Sequence, residues 1–130
     1  MATTRLCIVT DIHHGKDQFT KKGSAALSLL EGFARFVEET RPDAVIDMGD
    51  RISDSDSETD KQLQQDVAAI FSTMTIPRFH ICGNHDRDYM SVEDNAAILG
   101  QDLANTTVDM GDWTLVIWRA DAKIHRPGGF

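Results

Sequence analysis

Positive charge is scarce in this 130-residue sequence: 13 lysines and arginines stand against 21 aspartates and glutamates, a formal charge of −8. A chain this acidic offers no basic surface to neutralise a nucleic-acid backbone, so long nucleic acid is not an expected partner. Cysteine is scarcer still. Cys7 and Cys82 give neither a zinc spacing nor a disulfide framework, and each sits in an apolar run that reads as a buried, reduced thiol. No stretch approaches the ~20 apolar residues of a membrane span. Residues 1–10 hold one arginine and a short apolar run, which is not the layout of a signal peptide. We therefore expect a cytoplasmic protein with no membrane partner.

Repeats, low-complexity tracts and linkers are absent too. What is present is an ordinary globular composition, 41% hydrophobic and 26% charged, at a length that suits one domain over 1–130. Leu6-Cys7-Ile8-Val9 is a continuous apolar run, the pattern of a strand covered on both faces. From Gly23 to Thr40 the period becomes helical, with Leu27, Leu30, Ala34 and Val37 on one face, and Arg41-Pro42 stops it. Ala44-Val45-Ile46 reads as a second strand. Ser55 to Glu58 fits a capping box for a second helix carrying Leu63, Val67, Ile70, Phe71 and Met74. Phe79 to Cys82 reads as a third strand, followed by a short helix from about Ser91 to Leu99. Thr106–Asp109 and Trp113–Trp118 flank Met110-Gly111-Asp112 as an antiparallel hairpin. The class is α/β: a parallel βαβαβ unit followed by a β-hairpin.

Ligands of such sheets gather at the carboxyl ends of the strands, and each parallel strand here runs into possible metal ligands. Strand one meets Asp11-Ile12-His13, whose i and i+2 side chains point the same way in extended chain and can share an ion. Strand two meets Gly49-Asp50, where glycine permits a sharp exit and the carboxylate has two oxygens to bridge two cations. Asp47 ranks below Asp50, because a strand that turns Ile46 to the core turns Asp47 away. Strand three meets Gly83-Asn84-His85-Asp86. Asp-x-His or Gly-Asp alone is an everyday loop. The tetrapeptide should arise by chance at on the order of a few positions per million. The three loops come in order, each after a strand, separated by 39 and 34 residues, and either gap suits one strand–helix–strand crossover.

Asp-x-His, then Gly-Asp, then Gly-Asn-His-Asp resembles the calcineurin-like metallophosphoesterases, and within them the bacterial class III cyclic-nucleotide phosphodiesterase group. The resemblance implies the N-terminal half of an α/β/β/α sandwich with two metals at the strand ends. It implies that Asp11 and His13 bind the first metal, that Asp50 bridges both, and that Asn84 binds the second and contacts substrate. It further implies that His85 stands beside the substrate and protonates the leaving oxygen, with Asp86 orienting its ring. Two ions roughly 3.5–4 Å apart can generate hydroxide at neutral pH and clamp phosphoryl oxygens. A carboxylate behind a histidine fixes its tautomer. Mixed aspartate, histidine and asparagine ligation suits Mn, Fe or Zn better than Ca.

Other polar residues receive plainer readings. His14 is a candidate substrate contact, His80 a satisfied structural histidine, and Arg51 and Arg87 members of surface ion pairs. Asp54, Asp56, Glu58 and Asp60 read as a solvated helix start. The family pattern continues with a Gly-His-x-His that has no counterpart here, and His125, in a loop-like setting, is left out of the ligand set. The second site therefore lacks ligands, and we expect an incomplete domain whose exposed sheet favours self-association. Two functions compete. One is metal-dependent hydrolysis of a small phosphate ester by a phosphodiesterase or phosphatase. The other is an inactive domain of the same fold serving as a metal-binding or protein-interaction scaffold.

Overall fold

The computed structural model describes residues 3–123. Strands β1 (Leu6–Val9), β2 (Ala44–Asp47) and β3 (Arg78–His80) form a parallel sheet in the order β1-β2-β3. Helix α1 (Ala26–Thr40), entered through a 3-10 turn at Gly23–Ala25, joins β1 to β2, and α2 (Ser57–Ser72) joins β2 to β3. Helix α3 (Val92–Leu99) follows, then the antiparallel hairpin β4 (Thr106–Asp109) and β5 (Thr114–Ile117). The expected parallel βαβαβ unit with a trailing hairpin is the architecture found. The third strand, Arg78–His80, ends earlier than Phe79 to Cys82 suggested: the Ile81 amide makes the last bond to β2, donating to the Asp47 carbonyl at 3.0 Å, and the chain then enters the third loop.

One hydrophobic core lies between the sheet and helices α1 and α2. Leu30, Ala34 and Val37 of α1 meet Val45 of β2 and Val67 and Phe71 of α2, with Met74 and Ile76 closing the end and Cys7 and Val9 packed alongside. The helical spacing of these residues puts them on one stripe per helix, and burying that stripe holds the crossovers onto the sheet. Helix α1 ends where Arg41 takes the left-handed conformation at φ 48°, just before Pro42. The capping residue of α2 is Asp56 rather than Ser55: its carboxylate accepts from the Glu58 and Thr59 amides at 3.1 and 2.9 Å. Helix α3 does carry a capping box, between Ser91 and Asp94.

Strand β1 is not covered on both faces. Cys7 and Val9 meet the core, while Leu6 and Ile8 on the other side are exposed. The apolar run is continuous, but the structure uses only alternate residues of it. The phase of β2 also differs from expectation: Val45 faces the core, so Asp47, two residues on, shares that face and is fully buried. The free edge of β3 is occupied by a side chain. Gln101 accepts from the His80 amide at 3.0 Å and donates to the Arg78 carbonyl at 2.7 Å, copying a strand's pairing and blunting that edge. No helix among the described residues is long and apolar enough to cross a membrane.

Candidate metal centre

The β1–β2 ladder continues past the strands and sets the first loop against the second. The Asp11 amide donates to the Gly49 carbonyl at 3.0 Å, His13 to Asp50 at 3.0 Å and His14 to Arg51 at 2.9 Å; Ser53 returns a bond to His14 at 2.9 Å. The second and third loops meet through glycine. A Cβ on Gly49 would collide with the Gly83 amide, and one on Gly83 with the Asp50 carboxylate. Gly49, at φ 92°, also has a backbone conformation that side chains resist. These close approaches explain why both loops lead with glycine.

The loops bring His13, Asp50 and His85 together, with one donor atom from each within 4.8 Å of the others. His13 and His85 stack edge to face at 4.8 Å between ring centres. Asp11 joins from the rim, its Oδ1 3.5 Å from His13 Nε2, with its side chain 61% exposed. The Asp50 carboxylate also accepts from the His85 amide at 3.1 Å, which ties its direction to the third loop. Asn84 is half-buried and closes that loop through its carbonyl, which accepts from the Arg87 amide at 3.0 Å.

Backbone strain marks the same residues. Asp11, His13 and Asp50 sit at φ 55°, 49° and 54°, three of the five non-glycine residues with positive φ among those described. Such conformations cost on the order of 1–3 kcal/mol each and persist where the surroundings over-determine them, most often at functional sites. Two imidazoles and a carboxylate converging on strained backbone fit a divalent transition ion in number, kind and direction.

Several assignments change on the geometry. Asp86 does not orient the His85 ring. It is fully buried and turned away: Oδ2 accepts from the Asp50 and Gly83 amides at 2.8 and 2.9 Å, and Oδ1 from the Arg51 amide at 3.0 Å. The partner of His85 Nδ1 is Asp54, from the run read as a solvated helix start. One signal for Asp54 was available: Asp56 is the residue that can cap α2, which leaves Asp54 on the metal-bearing loop four residues after Asp50. His14 points at α2, where Nε2 lies 3.3 Å from Asp66 Oδ2. It does not enter the His13–Asp50–His85 group.

Arg51 is not a surface residue either. It is wholly buried, with Nη1 2.6 Å from Asp47 Oδ2 and Nη2 3.3 Å from Asp86 Oδ2. Arg87, also buried, pairs with Asp121 and donates to the Met90 carbonyl. His80 is the satisfied structural histidine anticipated, its Nδ1 2.8 Å from Asp47 and its ring against Phe71. His125 lies outside the described residues.

The buried groups beneath the loops respond differently to one another. Burial pushes the Asp47 carboxyl up, but Arg51 and His80 outweigh it and carry it below the usual carboxylate range. Burial pushes the Asp86 carboxyl up as well, Asp47 adds to the rise, and there the opposing pull of Arg51 does not prevail. Burial works against the Arg51 charge, yet its two aspartates hold the guanidinium above its ordinary value.

Comparison with known proteins agrees with this picture. Among curated proteins none matches the chain significantly. Of the solved structures, 19 chains match. One is a dimetal phosphatase from Danio rerio, superposing at a TM-score of 0.60 with 15% sequence identity over 72% of the present chain. That likeness is one of fold, and the present chain spans 33% of that protein's length. The sequence model of calcineurin-like phosphoesterases matches residues 4–129, nearly the whole chain, and the chain belongs to that family.

Proposed function

We propose that the protein contributes to metal-dependent hydrolysis of a small phosphate ester, as a phosphodiesterase or phosphatase. The observation that carries this reading is the convergence of His13, Asp50 and His85 at the carboxyl ends of three parallel strands. The family supplies the reaction class. In this reading Asp11, His13 and Asp50 would hold one divalent ion, Asp50 and Asn84 would contribute to a second, and Asn84 would also contact substrate. Mn, Fe or Zn suits such a donor set. When bound, divalent ions supply Lewis acidity that activates water and neutralises phosphoryl charge.

The chain's own residues supply the proton. Asp54 faces Nδ1 of His85 and fixes the ring. In the protonated ring Nδ1–H is held by that carboxylate and the Nε2 proton can pass to the leaving oxygen, which leaves a neutral imidazole still bonded to Asp54. Asp54 thereby takes the orienting role first given to Asp86. Burial of His13 behind the loops keeps one wall of the site dry, where charge interactions are stronger.

A second reading has its own observation. His85 belongs to the same 4.8 Å group as His13 and Asp50, so it can serve as a ligand of a single ion in a scaffold without turnover. Hydrolysis of bis(p-nitrophenyl) phosphate with added Mn²⁺ separates the two. The catalytic reading expects turnover that falls at least ~100-fold, to background, in Asp50→Asn. Equal rates in the two proteins would remove it.

A further inference from the structure

Among the described residues Arg51 is the largest side chain that is fully buried, and it directly follows Asp50 in the chain. Both terminal nitrogens of its guanidinium are engaged. Nη1 donates to Asp47 Oδ2 at 2.6 Å and to the Ile81 carbonyl at 2.7 Å; Nη2 donates to Asn95 Oδ1 at 3.4 Å and stands 3.3 Å from Asp86 Oδ2. One planar fork therefore joins β2, the exit of β3, α3 and the carboxylate of Asp86.

Asp86 passes that restraint to the site. Its two oxygens accept the amides of Asp50, Arg51 and Gly83, which belong to two different loops. Asn95 completes the hold by donating to the Asp86 carbonyl at 2.8 Å. The residue so gripped, Asp50, is in the left-handed region at φ 54°, which is unfavourable for a non-glycine residue although aspartate tolerates it better than most. Burying two aspartates and an arginine is also not the cheapest way to fill this space, since apolar side chains of similar volume commonly do as well or better. A polar network is worth its desolvation where it fixes one backbone geometry.

We infer that Arg51 is a positioning residue of the metal centre: through Asp86 it locks the backbone at Asp50 and Gly83 so that the Asp50 carboxylate faces His13 and His85. The inference rests on the reading of that group as a metal site and deepens it. Lysine keeps the charge but not the fork, and cannot reach Asp47, Ile81, Asn95 and Asp86 together.

Arg51→Lys is the test, read by Mn²⁺ affinity in calorimetry and by amide exchange at Asp50, Arg51 and Gly83. The expected variant has a wild-type circular dichroism spectrum and binds Mn²⁺ about 10–100-fold more weakly, the usual cost of losing an outer-shell partner. Exchange speeds at those three amides while the α1 amides keep their protection. Val67→Ala, a core change remote from the loops, destabilises the protein but keeps the wild-type affinity. Affinity unchanged in Arg51→Lys, or lost equally in Val67→Ala, overturns the inference. If Arg51→Lys does not fold, Asp86→Asn is measured in its place, with the same outcomes expected. If the wild type takes up no Mn²⁺, the reading of the site fails, and exchange alone decides the positioning: selective loss at the three amides sustains it, wild-type protection refutes it.

Discussion

Arg51, Asp47 and Asp86 are ionisable and lie wholly inside the protein, whereas Trp113, Val116 and Trp118 at the hairpin are apolar and stand 62%, 67% and 74% exposed. The two regions invert the ordinary rule in opposite directions. Under the loops, Asp47 and Asp86 each have the Arg51 guanidinium and main-chain or imidazole donors within reach, which offset the cost of leaving water in full at Asp47 and in part at Asp86. The hairpin has no such web. Its four-pair ladder, the buried Ile117 and the reach of Arg119 to the His80 carbonyl at 2.7 Å hold it in place. The difference teaches where the chain spends its specificity: on the geometry of a site in one region, on a surface open to contact in the other.

Mutations sharpen that contrast. Asp47→Ala leaves Arg51 with one buried counter-charge fewer, and should cost about 3–5 kcal/mol of unfolding free energy, the range for breaking a buried pair. A domain of this size has roughly 5–15 kcal/mol in all, so urea denaturation should show the loss at once; a change near zero would mean that the interior charges are not coupled.

Asp56 makes an intermediate case, an exposed carboxylate that accepts main-chain amides as Asp86 does in the interior. The Thr59 and Glu58 amides lower its pKa from the ordinary 3.8. Because the folded value is depressed, its contribution is present above the ordinary value and is lost as pH falls through the folded one. Asp56→Ala should therefore lower Tm by a few degrees at neutral pH, with the gap to wild type closing below about pH 3.8. A gap that persists in acid would assign the effect to something other than the cap. Least affected should be Val116→Ser on the open face of β5, within about 0.5 kcal/mol of wild type in the same urea experiment. A larger loss would mean that this face is covered in solution, by a second copy or another partner, and the contrast between the regions would weaken.

Much of the fold was legible. The helical stripes of α1 and α2, the apolar strands between them and the glycine-led loops need only local pattern, and each appears within a few residues of its expected place. What was not legible depends on which face of a strand the core takes and on contacts between loops. Val45 rather than Ile46 faces the core, and that one-residue phase sends Asp47 inside. Arg51 follows it, although an arginine after a turn reads as exposed. The family resemblance suggested Asp86 as the partner of His85, but successive residues on a turn point apart. The carboxylate that reaches the ring comes from Asp54, 31 residues earlier on the facing loop. The three ligand-bearing loops were readable because each follows its own strand; the arrangement that aims them was not, because it is tertiary.

The account stands on metal binding at the site where His13, Asp50 and His85 converge, with Asp50 as a ligand. Calorimetric titration of the wild type and Asp50→Asn with Mn²⁺ tests it directly. Saturable binding of at least one ion per chain in the wild type, lost in Asp50→Asn while its circular dichroism is unchanged, is the predicted result; no uptake by the wild type, or equal uptake by both, would contradict it.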